Sequence, residues 1–123
     1  MKVVLYCRVA SDDQLSLDMQ EISLREYADY SGFEVVGCIK DNGVSGLQND
    51  RSIQDLITLT ERRSADAVLC RDVSRLSRDP IRFAEIYLEF KKRGKAVECL
   101  HSYGEIYLAI EEYLNIRSKK ARA

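Results

Sequence analysis

Four short runs rich in β-branched and apolar residues, near Val3 to Cys7, Phe33 to Ile39, Ala67 to Cys70 and Ala96 to Leu100, are each followed by a longer stretch with helical spacing. Strands separated by crossover helices lie mostly parallel, and a parallel sheet needs cover on its faces. After the first run, Leu17, Leu24, Tyr27 and Ala28 share one face of a helix that Gly32 can end; after the second, Ile53, Leu56 and Ile57 share another. After the third, Asp79 can cap and Pro80 open a helix that buries Phe83, Ala84, Tyr87 and Leu88 and closes at Gly94. A last amphipathic helix, from about Glu105 to Arg122, carries Ile106, Ala109, Ile110, Tyr113 and Leu114. The expectation is an α/β domain of three layers, with a mostly parallel central sheet of about four to five strands and helices on both faces. At 123 residues the chain supports one such core and no second domain.

The apolar stripes read as core, and no cofactor is expected to lie against them. No run approaches the ~20 apolar residues of a membrane helix, and no signal-peptide pattern opens the chain, so a soluble cytoplasmic protein is expected. Cys7, Cys38, Cys70 and Cys99 stand about thirty residues apart, without the close sequence pairs of zinc or dithiol motifs. They read as buried thiols, and no metal site is expected. The net charge of -1 excludes a globally basic nucleic-acid coat. Its distribution is uneven: Arg117, Lys119, Lys120 and Arg122 form a basic end, and setting those four aside leaves 15 bases against 20 acids. Such an end can touch phosphates or simply complement a helix dipole.

Ligands of open parallel sheets bind outside the carboxyl ends of the strands. The polar clusters fall where that rule requires: Arg8 to Gln14, Asp41 to Arg51 and Arg71 to Arg78. These loops should bring Arg8, Arg51, Arg71, Arg75 and Arg78 together, with hydroxyls at Ser11, Ser45, Ser74 and Ser77. Helical spacing would put Arg71, Arg75 and Arg78 on one cationic face. Planar guanidinium forks grip phosphate oxygens in pairs, and several together can neutralise a phosphoryl group in its transition state. The charge pattern alone equally fits solvated arginines paired with Asp50, Asp72 and Asp79.

Tyr6-Cys7-Arg8-Val9-Ala10-Ser11, then Gln14, then Ser16-Leu17-Asp18-Met19-Gln20, resembles the opening signature of the serine recombinase (resolvase/invertase) family. Asp41-Asn42-Gly43-Val44-Ser45-Gly46 with Asp50-Arg51 resembles its second motif, and Ser74-Arg75-Leu76-Ser77-Arg78-Asp79 its third, in the form of large transposon-type members. The resemblance implies a resolvase-like catalytic domain over residues 1-104, with 105-123 starting a helix for dimerisation and DNA contact. It implies attack of a serine on a DNA phosphodiester, a 5′-phosphoserine link and a released 3′-hydroxyl, with the bond energy stored covalently. By position, Arg8, Arg51, Arg75 and Arg78 match arginines that bind the scissile phosphate, and Gln20, Asp41 and Ser45 match supporting positions. Asp41 and Ser45 can also simply stabilise a turn around Gly43 and Gly46. The implied partners are DNA and further copies of the chain, as a homodimer that becomes a tetramer during strand exchange; no membrane is involved.

Three departures qualify the match. The nucleophile position holds Ala10, whose methyl group cannot attack phosphorus, and Ser11 next to it points elsewhere, so strand cleavage is not expected. The alanine is either an introduced substitution or a natural loss. Ser74 stands where smaller members carry an aspartate; Asp72, two residues earlier, either assists the leaving oxygen or forms a salt bridge with Arg71 or Arg75. No helix-turn-helix pattern follows the last helix, so DNA binding should be weak and salt-sensitive, through phosphates and the basic end at Arg117, Lys119, Lys120 and Arg122. The resemblance places no catalytic duty on His101, which is expected to be structural or exposed. Two other functions compete. A nucleotide-binding α/β enzyme lacks its Gly-rich loop here, and a defunct recombinase module that dimerises with an active relative has Ala10 in its favour.

Overall fold

The computed structural model describes residues 1–9, 13–43 and 50–101. Strand β1 (Lys2–Arg8) leads through helix α1 (Gln14–Ser31) to β2 (Glu34–Asp41), and helix α2 (Asp50–Arg62) leads on to β3 (Ala67–Cys70). A short 3-10 turn (Val73–Arg75) and helix α3 (Pro80–Lys92) then precede β4 (Ala96–Cys99). All pairings are parallel, and the strand order is β2-β1-β3-β4. The expected four runs are therefore the four described strands, with ends shifted by at most two residues.

Alternation along β1 divides the core. Val3, Leu5 and Cys7 face Leu17, Leu24 and Ala28 of α1, whereas Val4 and Tyr6 face Ile53, Leu56 and Ile57 of α2 and Phe83, Tyr87 and Phe90 of α3. Because both faces are covered, β1 is buried throughout its interior and reads as one unbroken apolar run. The first connection returns on one side of β1 and the later ones build the sheet on the other. The winding thus reverses beside β1, and the carboxyl ends of β1 and β3 open where α1 and the 3-10 turn diverge to opposite faces.

Local signals set the helix ends. Asp13 caps α1 by accepting from the Ser16 N–H at 3.0 Å, and Asp79 caps α3 by accepting from Ile81, with Pro80 in the first turn. Gly32 ends α1 in the left-handed region at φ 74°. Close packing of α2 on β2 shows at Gly37, where an added Cβ would stand 2.8 Å from Leu59 Cδ2. Two sequence expectations need correction. Leu88 is exposed, because the buried stripe of α3 centres on Phe83, Ile86, Tyr87 and Phe90, and Leu88 lies just beyond its edge at Ala84. Residues 71–78 form no α-helical turn, since Asp72 caps a three-residue 3-10 turn instead, so Arg71, Arg75 and Arg78 share no helix face. The helix expected from about Glu105 to Arg122 lies outside the described residues, as does the proposed boundary at 104/105.

Replacing Gly32 by alanine tests the left-handed cap without a steric complication, since no atom lies within 4 Å of the added Cβ. Gly32→Ala should lower unfolding free energy by about 1 kcal/mol, and Gly32→Asn by less, in urea denaturation followed by circular dichroism.

Candidate active site at the carboxyl ends of β1 and β3

Arg8 ends β1, and its backbone is held from two directions. The side chain of Gln20, buried on α1, accepts from the Arg8 N–H at 3.2 Å and donates to the Arg8 carbonyl at 2.9 Å, completing the strand edge as a neighbouring strand would. Arg75 Nη1 donates to the same carbonyl at 3.1 Å. In return, Arg8 Nη2 donates to the Ser74 carbonyl at 2.9 Å. Each arginine therefore fixes the backbone that carries the other, and carbonyl dipoles hold two cations side by side.

Asp72 organises the β3 side. Its carboxylate accepts from the Ser74 N–H at 3.0 Å and from the Ser74 hydroxyl, and it pairs with Arg75 Nε at 3.7 Å. That separation is too long for a hydrogen bond, and among the described residues the buried Arg75 Nε has no acceptor. Of the two duties open to Asp72, the structure displays the salt bridge with Arg75; Arg71 stands apart. The Arg71 side chain lines a groove of about 400 Å³ with Leu15, Met19, Gln20, Leu100 and His101. His101 is exposed, and its N–H donates to the Arg71 carbonyl at 3.0 Å.

Asp41 ends β2 opposite Arg8 in the register, and its carbonyl accepts from the Val9 N–H at 3.1 Å. Its carboxylate accepts from the Gly43 N–H at 3.0 Å, so the expected turn-stabilising duty is present. The second oxygen accepts from the Ser52 hydroxyl at 2.8 Å, and Ser52 Oγ lies 2.8 Å from the Tyr6 hydroxyl. Arg51, next to Ser52 in the first turn of α2, lines a small cleft of about 190 Å³ with Lys40, Asp41, Asn42 and Asp55. Arg78 is exposed between the 3-10 turn and α3. Among the described residues, neither Arg51 nor Arg78 makes a side-chain hydrogen bond or ion pair. Arg8 and Arg75 are thus linked through each other's backbone, Arg51 borders the Asp41 side, and Arg78 follows the 3-10 turn. Ala10, Ser11 and Ser45, and the basic residues Arg117, Lys119, Lys120 and Arg122, lie outside the described residues.

Sequence reasoning assigned no duty to Tyr6 or Ser52. The available signal was a phenol within an otherwise apolar β1: a buried hydroxyl requires a partner, and the first turn of α2 supplies it. The cysteines also hold more than their sequence spacing implied. Cys7, Cys70 and Cys99 are buried and Cys38 is half-buried, but the sheet brings them into two pairs, Cys7 with Cys38 and Cys70 with Cys99. Hydrogen bonding to Cys38, with burial, pushes the Cys7 thiol far up; receiving that bond lowers Cys38.

The fold and the site define an open parallel α/β domain with paired arginines at its winding reversal. The profile of the resolvase N-terminal domain family matches residues 3–115, and the chain belongs to that family as a serine recombinase catalytic domain. Among solved structures, the C-terminal catalytic domain of ISC1926 TnpA, an IS607-like serine recombinase, is 32% identical over 98% of this chain and 83% of that one, with a TM-score of 0.71. The N-terminal catalytic domain of TP901-1 integrase is 26% identical over the whole of both chains, with a TM-score of 0.76. A resolvase family site-specific recombinase from Streptococcus pneumoniae shares the fold at 23% identity and a TM-score of 0.70, over 99% of this chain and 91% of that one. No curated protein matches the chain.

Gln20→Ala removes both side-chain bonds to the Arg8 backbone and should cost about 1–3 kcal/mol of stability. Gln20→Glu keeps an acceptor for the Arg8 N–H but offers no donor to the carbonyl, and should fall between wild type and alanine in urea denaturation.

Proposed function

We propose that this chain is the strand-exchange domain of a site-specific DNA recombinase, built for attack of a serine on a DNA phosphodiester and inactive as written because Ala10 occupies the nucleophile position. The observation that carries the reading is the mutual hold of Arg8 and Arg75 at the winding reversal of the sheet. A phosphodiester carries one negative charge and gains another as its phosphorus becomes five-coordinate, so preorganised guanidinium groups at that point stabilise the transition state more than the ground state. Arg8 and Arg75 act as the inner pair, with Arg51 and Arg78 closing on the phosphate from the Asp41 and Asp79 sides. Gln20 positions Arg8, Asp41 positions the turn after β2, Ser45 supports that turn, and Asp72 orients Arg75 and Ser74.

With a serine at position 10, its oxygen would bond to phosphorus as the 3′ oxygen departs and takes a proton, giving a 5′-phosphoserine link and a free 3′-hydroxyl. Attack by a 3′-hydroxyl from a new partner strand would reverse the step. One phosphoester is exchanged for another, so the cycle balances without ATP. Residues 1-104 form the catalytic domain in this reading, and 105-123 begin a helix for dimer contacts, with Arg117, Lys119, Lys120 and Arg122 on DNA phosphates. Homodimers that pair into tetramers bring two DNA sites together. Cytoplasmic residence fits this duty, and no helix among the described residues is long and apolar enough to cross a membrane.

A second reading has one observation in its favour: Ala10 is also what a non-cleaving partner subunit would carry. The experiment that separates the two is Ala10→Ser with duplex DNA carrying a recombination site the chain binds, read as a covalent adduct in denaturing gels. The serine variant should form the adduct and the alanine chain should not, and adding Arg75→Ala should slow its formation by about 10²–10³-fold. An Ala10→Ser variant that binds the site without cleaving it, while forming heterodimers with an active relative, establishes the partner subunit instead.

A further inference from the structure

Cys70 and Cys99 end β3 and β4 as direct partners in the parallel register, and both side chains enter the core shared with α2 and α3. Their sulfurs stand 3.6 Å apart. Neighbouring strands lie about 4.8 Å apart, within the range of Cα separations that disulfides span, so closing to an S–S bond of about 2.05 Å asks for side-chain rotation and a small sulfur movement. The pair also touches the site. Cys70 donates its S–H toward the Asp72 carbonyl at 3.4 Å, and two residues on Asp72 holds Ser74 and Arg75.

We propose that Cys70 and Cys99 are a reversible disulfide-forming site, oxidised by a hydroperoxide, whose closure loosens the 3-10 turn that carries Ser74 and Arg75. Cys99 retains 9% exposure and Cys70 none, so a small oxidant meets Cys99 first. The Cys99 sulfur attacks the peroxide, its S–H proton and the departing alkoxide give an alcohol, and Cys99 becomes a sulfenic acid. Cys70 then attacks that sulfur, and its proton leaves with the hydroxyl as water. Two thiols and one hydroperoxide thus give one disulfide, one alcohol and one water. Once the disulfide forms, the S–H bond to the Asp72 carbonyl is gone. The sulfur also moves toward β4, away from the turn.

The site stands apart from the recombinase reading, and its test uses no DNA. In the Cys7→Ser/Cys38→Ser double variant, only the proposed pair remains. Exposure of the folded protein to tert-butyl hydroperoxide, then alkylation in denaturant, should leave a species lighter by two hydrogens with both thiols blocked from alkylation, restored by dithiothreitol. Peptide mapping of the four-cysteine chain should find the same Cys70–Cys99 link and serves as the second measurement if the double variant does not fold. Amide exchange over residues 71–78 should rise several-fold on oxidation and return on reduction, whereas Cys99→Ser should show neither change. Full alkylation of both thiols after peroxide, a link through Cys7 or Cys38 instead, or a Cys70–Cys99 link with unchanged exchange over 71–78 would each overturn the proposal.

Discussion

The site depends on a reciprocal hold between two cations. Arg8 donates to the backbone that carries Arg75, and Arg75 donates to the backbone of Arg8, so each guanidinium is tied to the segment that carries the other. Two like charges on neighbouring segments repel. The carbonyls at the ends of β1 and the 3-10 turn, with Asp72 beside Arg75, offset that repulsion. Gln20 makes the arrangement rigid from behind by bonding the Arg8 backbone from the opposite face of the sheet. A partly balanced pair of donors fixed at a strand end is suited to a ligand that brings further negative charge.

The topology explains why the hold forms here. With strand order β2-β1-β3-β4, the winding reverses beside β1, so α1 leaves toward one face while the 3-10 turn and α3 leave toward the other. Gln20 approaches Arg8 from the first group and Arg75 from the second. On the remaining side, β2 ends at Asp41, whose carboxylate bonds Ser52 and thereby anchors the helical turn carrying Arg51. Three connections converge on one strand end because that strand is central in the sheet and first in sequence.

Much of this was legible in the residues. Apolar β-branched runs gave all four described strands, and Asp79-Pro80 and Gly32 marked helix ends because capping chemistry is local. The carboxyl-end rule pointed to the strand ends at which Arg8 and Arg75 are linked. What escaped was geometry set by tertiary contacts. Arg71, Arg75 and Arg78 look like one helical face by spacing, but Asp72 captures the Ser74 N–H and starts a 3-10 turn of only three residues after Arg71, which lines the α1 groove instead. Ser52 carries no local signal, since its duty comes from Tyr6 and Asp41, eleven and more positions away. The cysteine pairs were hidden for the same reason: about thirty residues separate members in sequence, and strand register alone brings Cys70 to Cys99. Leu88 was placed inward on hydrophobicity, whereas the stripe through Phe83 and Phe90 sets which side of α3 is covered.

The central claim is that the Arg8–Arg75 pair is a cradle for a backbone phosphate of DNA. A crystal structure of the chain with a short duplex tests it most directly. The account predicts a phosphate whose oxygens lie within hydrogen-bond distance of both guanidinium groups, with Gln20 still bonded to the Arg8 backbone. A duplex held elsewhere, for instance along the Arg71 and His101 groove, with the Arg8–Arg75 pair untouched by any phosphate, would contradict it.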